Sequence, residues 1–150
     1  MLPYVYLTRL RTDALLPQQM SAGASGFDLF AAIDDEILLH PGQRARIGTG
    51  IAIAVASGYE AQVRPRSGLA DAHGITVLNA PGTIDSDYRG EIGVVLINLG
   101  EECYHIVSGM RIAQLVFAAV PALAFEEVSL EQFSKMQTVR GRGGFGHTGK

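Results

Sequence analysis

The stretch Glu91–Asn98 (EIGVVLIN) decides the fold class more than any other part of the sequence. Ile92, Val94 and Leu96 occupy alternate positions and apolar residues also stand among them, so an extended chain here is apolar on both faces. A strand that is apolar on both faces is typical of the centre of a sheet. We therefore predict a central β-strand over Glu91–Asn98.

Further short segments of β-type sequence surround this strand and are separated by turns that contain glycine and proline. In Tyr59–Arg64 (YEAQVR) polar and apolar residues alternate, as in a strand with one buried face. The chain has 18 glycines in 150 residues, and short strands punctuated in this way indicate an all-β sandwich or barrel. The other predicted strands are Tyr4–Leu7, Gly26–Ala31, Glu36–Leu39, Gln43–Val55, Glu60–Arg64, Tyr104–Val107 and Arg111–Val120.

Helix is scarce, and the last residues differ in composition from the rest. Ser67–His73 is a helix candidate of at most two turns, and Ser129–Met136 is a second, which Ser129 could cap with Gln132 three residues further on. From about residue 137 the chain is basic and rich in glycine, and this segment cannot bury a core of its own. We therefore expect a β domain over residues 1–136 and a flexible arm over residues 137–150.

Composition narrows the class of protein. The chain has 150 residues and a mass of 16.0 kDa, which suits one domain. The net charge is −3 and the first hundred residues have no basic cluster, so we expect no nucleic-acid partner. Cys103 is the single cysteine, which excludes an internal disulfide framework. Without a signal peptide or a long apolar run, the expected location is the cytoplasm, with a nucleus or an organelle left open, and no membrane.

Ile84–Glu91 (IDSDYRGE) concentrates charge between two apolar runs. Asp85 and Asp87 would project to the same face of an extended chain. Two neighbouring carboxylates could share a proton, bind a metal, or act as a base and its orienting partner. The same residue types are common in a polar turn between strands, so both interpretations stay open.

Arg64–Leu69 (RPRSGL) and Ser25–Leu29 (SGFDL) also allow two interpretations each. Ser67 and Gly68 would stand at a helix start, where N–H groups could bind an anion, or they could simply cap the helix beside surface arginines. Asp28 lies in an apolar strand, where an acid is costly unless it belongs to a site or faces solvent at a sheet edge.

Two further polar features remain ambiguous from the residues alone. Arg111 and Gln114 interrupt an apolar strand and, at strand period, lie on opposite faces, either at a site or as an interface pair. The four histidines are scattered without metal-ligand spacing. We therefore expect them to be structural or at the surface rather than ligands.

Arg140–Gly149 (RGRGGFGHTG) matches two glycine-rich phosphate-binding patterns, but it lacks the preceding strand and following helix that both require. Successive glycines could still let N–H groups converge on an anion, with Arg140 and Thr148 as additional donors. Phe145 offers a face for a planar base. The alternative is a solvated tail without a role.

Taken together and in order, five of these segments resemble the motifs of the homotrimeric dUTP pyrophosphatases (dUTPases). The resemblance runs from about residue 22 to the end of the chain. The motifs, as they stand in this sequence, are Ala24–Leu29 (ASGFDL), Pro65–Ala70 (PRSGLA), Gly82–Gly90 (GTIDSDYRG), Gly109–Leu115 (GMRIAQL) and Arg140–Gly149 (RGRGGFGHTG).

The resemblance implies a fold and an assembly. Members of this family have a jelly-roll-like distorted β-barrel and form a three-fold homotrimer. Their active sites lie at subunit junctions, and the exchanged C-terminal arm of a neighbour closes over the substrate. A disordered arm that becomes ordered on nucleotide binding would give the glycine-rich tail a role.

The resemblance also implies the reaction and the groups that act in it. The substrate is dUTP and the products are dUMP and pyrophosphate, which limits uracil in DNA and supplies dUMP for dTMP synthesis. Asp85 matches the base that orients and deprotonates the water attacking the α-phosphorus. Asp28 matches the acid that positions the hydration shell of Mg²⁺, the implied cofactor. The residues that match phosphate contacts are Arg66, Ser67, Gly68 and Gln114.

The remaining carried-over roles concern the base, the sugar and the arm. Asn79 and the hairpin around it match the uracil pocket, and Tyr88 matches the residue under the deoxyribose that leaves no room for a 2′-hydroxyl. In the arm, Arg140 and Thr148 match γ-phosphate contacts and Phe145, followed by Gly146, matches the aromatic residue that covers uracil. Met110 and His147 depart from residues that are frequent in the family, so their roles are open.

Two rival functions use the same fold. One is dCTP deamination, which ammonia release would reveal, and the complete second motif and the arm disfavour it. The other is a nucleotide-responsive regulatory protein that binds dUTP without turnover, which the presence of Asp85 and of the whole arm disfavours.

Overall fold

The strands form two four-stranded sheets and a two-stranded ribbon. The computed structural model describes residues 4–143. In this part of the chain the elements are β1 (Tyr6–Arg9), β2 (Phe27–Phe30), β3 (Ile37–Leu39), β4 (Arg44–Ala54), β5 (Tyr59–Arg64), α1 (Ser67–His73), β6 (Ile75–Val77), β7 (Gly82–Ile84), β8 (Glu91–Asn98), β9 (Tyr104–Ile106), β10 (Arg111–Ala119) and α2 (Leu130–Lys135).

The strand orders are β1-β4-β8-β6 in one sheet and β2-β10-β5-β7 in the other, and β3 pairs with β9 in the ribbon. Every pairing between these strands is antiparallel. The prediction of an all-β, jelly-roll-like fold is confirmed, and within residues 4–143 the sheets do not close into one continuous barrel. The prediction that Glu91–Asn98 is a central strand is also confirmed, because β8 lies between β4 and β6.

The core lies between the inner faces of the two four-stranded sheets. Alternate residues of β8 are buried, from Ile92 to Asn98, while the residues between them are half-buried. This pattern shows that the second apolar face of β8, with Val95 and Ile97, is only partly covered within one chain. The buried face of β8 packs in the core. Burial of apolar area contributes roughly 25 cal/mol per Å², and this hydrophobic effect holds the two sheets together.

The short helices have the predicted places. α1 begins directly after Arg66 and ends at Gly74, whose positive φ of 66° suits a residue without a side chain. α2 begins with the predicted cap: the Ser129 side chain accepts a hydrogen bond from the amide of Gln132, and the Gln132 side chain accepts one from the amide of Ser129. Within residues 4–143 no helix is long and apolar enough to cross a membrane.

Two strands, β6 and β7, were not predicted. Each has three residues, which is too short to display an alternation of polar and apolar side chains. β6 pairs with β8 and β7 pairs with β5, so the tertiary pairing partner, and not local sequence, defines them.

Leu96 and Leu99 provide a matched test of the core. Leu96 is 1% exposed on β8 and Leu99 is 67% exposed just beyond it. We expect Leu96→Ala to lower the free energy of unfolding by about 2–5 kcal/mol, because it removes buried apolar surface and leaves a cavity. Leu99→Ala should change it by less than about 0.5 kcal/mol. Denaturant unfolding measures both, and equal effects of the two substitutions would contradict the assigned core.

Candidate active site

β10 positions two of the polar side chains that the sequence singled out. The sequence analysis placed Arg111 and Gln114 on opposite faces of a regular strand, and this was wrong. The register of β10 against β2 shifts between Arg111 and Ala113, and this irregularity inserts one residue. A bulge of this kind changes the face toward which the following residues project. As a result Arg111 reaches Asp28, and Gln114 lies opposite Asp28 in the register.

The Asp28 carboxylate lies between two guanidinium groups. Its Oδ2 is 3.3 Å from Nη1 of Arg111 and 3.6 Å from Nη2 of Arg66. The Asp28 side chain is only 14% exposed, although β2 is an edge strand. The interpretation of Asp28 as a solvent-facing edge acid was therefore wrong. A half-buried carboxylate is stabilised here because two arginines compensate for its lost hydration.

The same arginines connect the segments to one another. Nη1 of Arg66 donates to the backbone oxygen of Arg111 at 3.1 Å, and Nε2 of Gln114 donates to the backbone oxygen of Pro65 at 3.0 Å. Three segments distant in sequence, around residues 28, 66 and 111, thus meet at one place. We call this set of side chains, Asp28, Arg66, Arg111 and Gln114, the arginine cluster.

Ser67 and Gly68 follow Arg66 in the first turn of α1, and both are exposed beside the arginine cluster. No side-chain hydrogen bond caps the start of this helix. No atom of the described residues lies within 4 Å of the place where a Cβ on Gly68 would stand. The turn therefore has open space around it and is accessible to a ligand.

Asn79 lies in the short connection between β6 and β7. This connection is fixed by hydrogen bonds from the amide of Leu78 to the oxygen of Val95, at 2.8 Å, and from the amide of Ala80 to the oxygen of Val77, at 3.2 Å. A Cβ built on Gly82 would stand 3.2 Å from Nδ2 of Asn79. The absence of a side chain at Gly82 therefore leaves room for the Asn79 amide. The Asn79 side chain is exposed at this hairpin.

Asp85 and Tyr88 lie in the turn that joins β7 to β8. The amide of Tyr88 donates to the oxygen of Asp85 at 3.1 Å, and the Tyr88 hydroxyl donates to the oxygen of Glu91 at 3.0 Å. A Cβ on Gly90 would overlap the Tyr88 ring, so the ring can lie flat against this glycine. The polar-turn interpretation describes the backbone correctly, and the turn leaves the Asp85 carboxylate exposed.

The sequence-predicted site residues fall into two groups within one chain. The arginine cluster, with Ser67 and Gly68, forms the first group, and Asn79, Asp85 and Tyr88 form the second. Within residues 4–143 no hydrogen bond or ion pair joins the side chains of the two groups. Of the arm, Arg140 is described and its Nε donates to the oxygen of Gly143 at 2.8 Å. The predicted contacts at Phe145, Gly146 and Thr148 lie outside the described residues.

Two histidines, His40 and His105, and the cysteine form pairs away from these groups. Nδ1 of His40 and Sγ of Cys103 are 3.1 Å apart, and His105 is paired with Glu36. In the part of the chain that the structure describes, no three His, Cys, Asp or Glu side chains meet as a metal site.

Sequence reasoning missed two charged contacts. It gave no role to Arg111, although the residue lies inside a quoted motif, because the bulge that turns it toward Asp28 has no sequence signal. It also missed Arg11, which binds Asp13 at 2.9 Å and Asp34 at 2.7 Å and thereby keeps the pKa of both carboxyls below their usual range. This network lies at the surface and joins two loops rather than serving the site.

Comparisons with known proteins bear on the family and the fold of this chain. Residues 12–149 match the family model described as dUTPase. The deoxyuridine 5′-triphosphate nucleotidohydrolase of Syntrophotalea carbinolica is 51% identical over 145 residues, which is 97% of this chain and 96% of that protein.

Two solved structures share the fold. A variant of the Staphylococcus bacteriophage 80alpha dUTPase with dUpNHpp has a TM-score of 0.87 at 24% identity, covering 98% of this chain and 99% of that one. A variant dUTPase from phage phi11 of S. aureus, which coordinates a structural Mg(II) ion, has a TM-score of 0.77 at 22% identity, covering 85% and 99%.

The arginine cluster can be tested without any ligand. In Asp28→Asn, the loss of the negative charge should leave the Arg66 and Arg111 side chains more mobile, because charge-assisted hydrogen bonds are about twice as strong as neutral ones. Nuclear magnetic relaxation of the arginine Nε groups measures this mobility. The control is Asp35→Asn, at an exposed acid outside the cluster, and it should not change the mobility of either arginine. Unchanged mobility of both arginines in Asp28→Asn would show that the carboxylate does not hold them.

Proposed function

The chain belongs to the dUTPase family and is a dUTP diphosphatase, and we propose that its own residues hydrolyse dUTP by activating a water with Asp85. The observation that supports this best is the arginine cluster, in which three distant segments bring two guanidinium groups to one exposed place. Arginine presents donors in a planar fork that suits phosphate oxygens. The products would be dUMP and pyrophosphate, which limits uracil in DNA and supplies dUMP for dTMP synthesis.

In the proposed reaction the Asp85 carboxylate accepts a proton from a water molecule as the water oxygen attacks the α-phosphorus. The bond from the α-phosphorus to the oxygen that bridges to the β-phosphorus breaks, and pyrophosphate leaves with the electron pair. Asp85 suits this role because it is exposed at the rigid turn after β7, where the backbone bond from Tyr88 fixes its position. A positioned general base typically contributes about 10²–10⁴-fold to a rate.

We propose that the triphosphate lies over the arginine cluster and the first turn of α1. Arg66, Ser67, Gly68 and Gln114 are the proposed contacts, and Arg111 joins them because it shares the Asp28 carboxylate with Arg66. When the phosphates arrive, the guanidinium groups exchange part of their interaction with Asp28 for the phosphate oxygens. Preorganised cations of this kind stabilise the charge that develops on the leaving pyrophosphate.

Magnesium fits the donor set only as a hydrated ion. Asp28 is a single carboxylate and its Oδ2 already faces two guanidinium groups, so it is suited to holding metal-bound water and not to building a cage of protein ligands. Mg²⁺ keeps several waters and binds through substrate phosphates, which agrees with such a site. When bound, Mg²⁺ would offset negative charge on the phosphates.

The nucleoside end is proposed to bind at the second group of residues. The exposed Asn79 amide and the hairpin backbone between β6 and β7 would hydrogen-bond the uracil edge. The Tyr88 ring, held by its hydroxyl contact to Glu91 and by Gly90, would pack under the deoxyribose and leave no space for a 2′-hydroxyl. Phe145 and Gly146, with Arg140 and Thr148, would close the site from the arm.

The two groups are proposed to meet between chains of a homotrimer. Past β10 the segment 120–129 has no regular secondary structure and is almost entirely exposed, including the large side chains of Leu123 and Phe125. Beside the end of β10 lies an apolar groove of about 690 Å³, lined among others by Leu16, Phe27 and Phe117. A second copy that lays this segment in the groove would cover both surfaces and carry its arm, residues 137–150, to the neighbouring site.

Asp85→Asn tests the proposed base. The variant should fold and bind dUTP, because the amide keeps the shape of the carboxylate, but turnover should fall by at least about 100-fold, because the amide cannot accept the proton. Pyrophosphate release with Mg²⁺, from dUTP and in parallel from dCTP, dTTP and UTP, measures the activity. Asp87→Asn, two residues further along the same turn, is the control and should retain most activity. Near-wild-type turnover of Asp85→Asn would exclude Asp85 as the base.

Removal of residues 140–150 tests the arm. The truncated chain should keep its fold and its trimeric state, because the described residues that form the core and line the groove all precede residue 120. Its turnover should fall strongly, because arm closure would exclude water and align the reacting groups. Sedimentation analysis and pyrophosphate release measure the two properties, and removal of Lys150 alone is the control. Full activity of the chain that ends at Val139 would reject the closing role.

A further inference from the structure

The end of α1 is docked on the loop that follows β8 by a contact between two glycine backbones. A Cβ built on Gly74 would overlap the amide nitrogen and Cα of Gly100, and a Cβ built on Gly100 would overlap the backbone oxygen of His73. The amide of Leu99 donates to the oxygen of Gly74 at 2.9 Å. The two segments can approach this closely only because both positions lack a side chain.

The loop side of this contact is fixed by a buried amide. The Asn98 side chain is fully buried, and its Oδ1 accepts a hydrogen bond from the amide of Gly100 at 2.9 Å. Its Nδ2 donates to the oxygens of Leu39 and Glu102, both at 2.8 Å. A fully satisfied polar group of this kind makes the local structure unique, because any displacement leaves a buried donor or acceptor unpaired.

A ring contact beside the glycines strengthens the same junction. The ring centroids of His73, in the last turn of α1, and Tyr104, at the start of β9, are 5.0 Å apart. Tyr104 is half-buried, and this burial raises the pKa of its hydroxyl. The end of α1 is therefore held from two sides, by the Gly74–Gly100 contact and by Tyr104.

Between its two ends α1 packs loosely. None of its residues is buried, and among the described residues Leu69 is the one side chain of α1 that packs against the core. The start of α1 is tied to the arginine cluster through Pro65 and Arg66, so the direction of the helix depends on the junction at its other end. The first turn of α1 follows Arg66 directly, so a rotation of the helix about its end moves Ser67 and Gly68 relative to the arginine cluster.

We propose that Gly100 is a positioning residue for the phosphate end of the substrate, acting through the contact with His73 and Gly74 that sets the direction of α1. This inference rests on the proposed function, which assigns the Arg66–Gly68 turn to the phosphates. It adds a residue that touches no substrate and lies outside all five motifs. It also divides the substrate, because the nucleoside end is assigned to Asn79 and Tyr88. Tyr88 lies in the turn between β7 and β8, and Asn79 follows β6, whose pairing with β8 and the bond from Leu78 to Val95 hold it beyond the junction.

Gly100→Ala is the direct test. Because the φ of Gly100 is not positive, the added methyl group acts through its overlap with the neighbouring backbone and not through backbone strain. The matched control is Gly23→Ala, because among the described residues, its two chain neighbours aside, none has an atom within 4 Å of the place of a Cβ there. In Gly100→Ala we expect the Kd of dUpNHpp and the KM of dUTP to rise at least tenfold. The Kd of deoxyuridine, which has no phosphates, should stay within twofold. The control should have the wild-type Kd of dUpNHpp, KM of dUTP and Kd of deoxyuridine.

His73→Ala is the second variant and adds no clash, so it stays informative if Gly100→Ala does not fold. Removal of the ring contact with Tyr104 should weaken dUpNHpp binding about threefold and again spare deoxyuridine. Equal losses for dUpNHpp and deoxyuridine would indicate a general structural role and overturn the proposal, as would no loss in either variant. Failure of the proposed function gives a different result, because the wild type itself would then release no pyrophosphate from dUTP.

Discussion

The Asp28 carboxylate is the point on which the arrangement of the site depends. It lies on an edge strand, yet it is nearly enclosed because guanidinium groups from two other segments face it. Each arginine alone would be a flexible surface side chain with high conformational entropy. With one shared carboxylate they converge, and two guanidinium groups from distant segments are held side by side. The hydrogen bonds from Arg66 to the backbone at Arg111 and from Gln114 to Pro65 then tie the strand and the loop together.

The sequence predicted the long strands and several short ones, including β3 and β9, but it did not predict β6 and β7. β4, β8 and β10 have enough residues for their apolar pattern to be recognised, and β8 was predicted with its observed ends. β6 and β7 exist because β8 and β5 offer them hydrogen-bonding edges, which is information that no local pattern holds. The helix α2 was found from its start, since the capping residues Ser129 and Gln132 have a sequence signature even where the helix has only six residues. The helix α1 was predicted with its observed ends, although no side chain caps its start.

The site shows the same division between local and non-local information. The turn that exposes Asp85 could be anticipated, because Asp, Ser and Gly favour turns wherever they occur. The direction of the Arg111 side chain could not be anticipated. Strict alternation predicts one face of the strand, and one inserted residue between Arg111 and Ala113 turns the side chain to the other face. The family resemblance brought the five motifs together, but the paired guanidinium groups around Asp28 became visible only in three dimensions. Which groups of different chains meet around one nucleotide stays a prediction.

The uneven use of basic residues has a practical consequence. The body of the molecule, including every cation in the site, uses arginine, while the two lysines of the sequence are Lys135 and Lys150. Lys135 is exposed on α2, where it pairs with Glu131. Apart from the amino terminus, all primary amines therefore belong to the C-terminal segment. An amine-reactive fluorophore or crosslinker would label the amino terminus and this segment while leaving the β-sheets and the arginine cluster chemically unmodified, which limits conjugation to few sites.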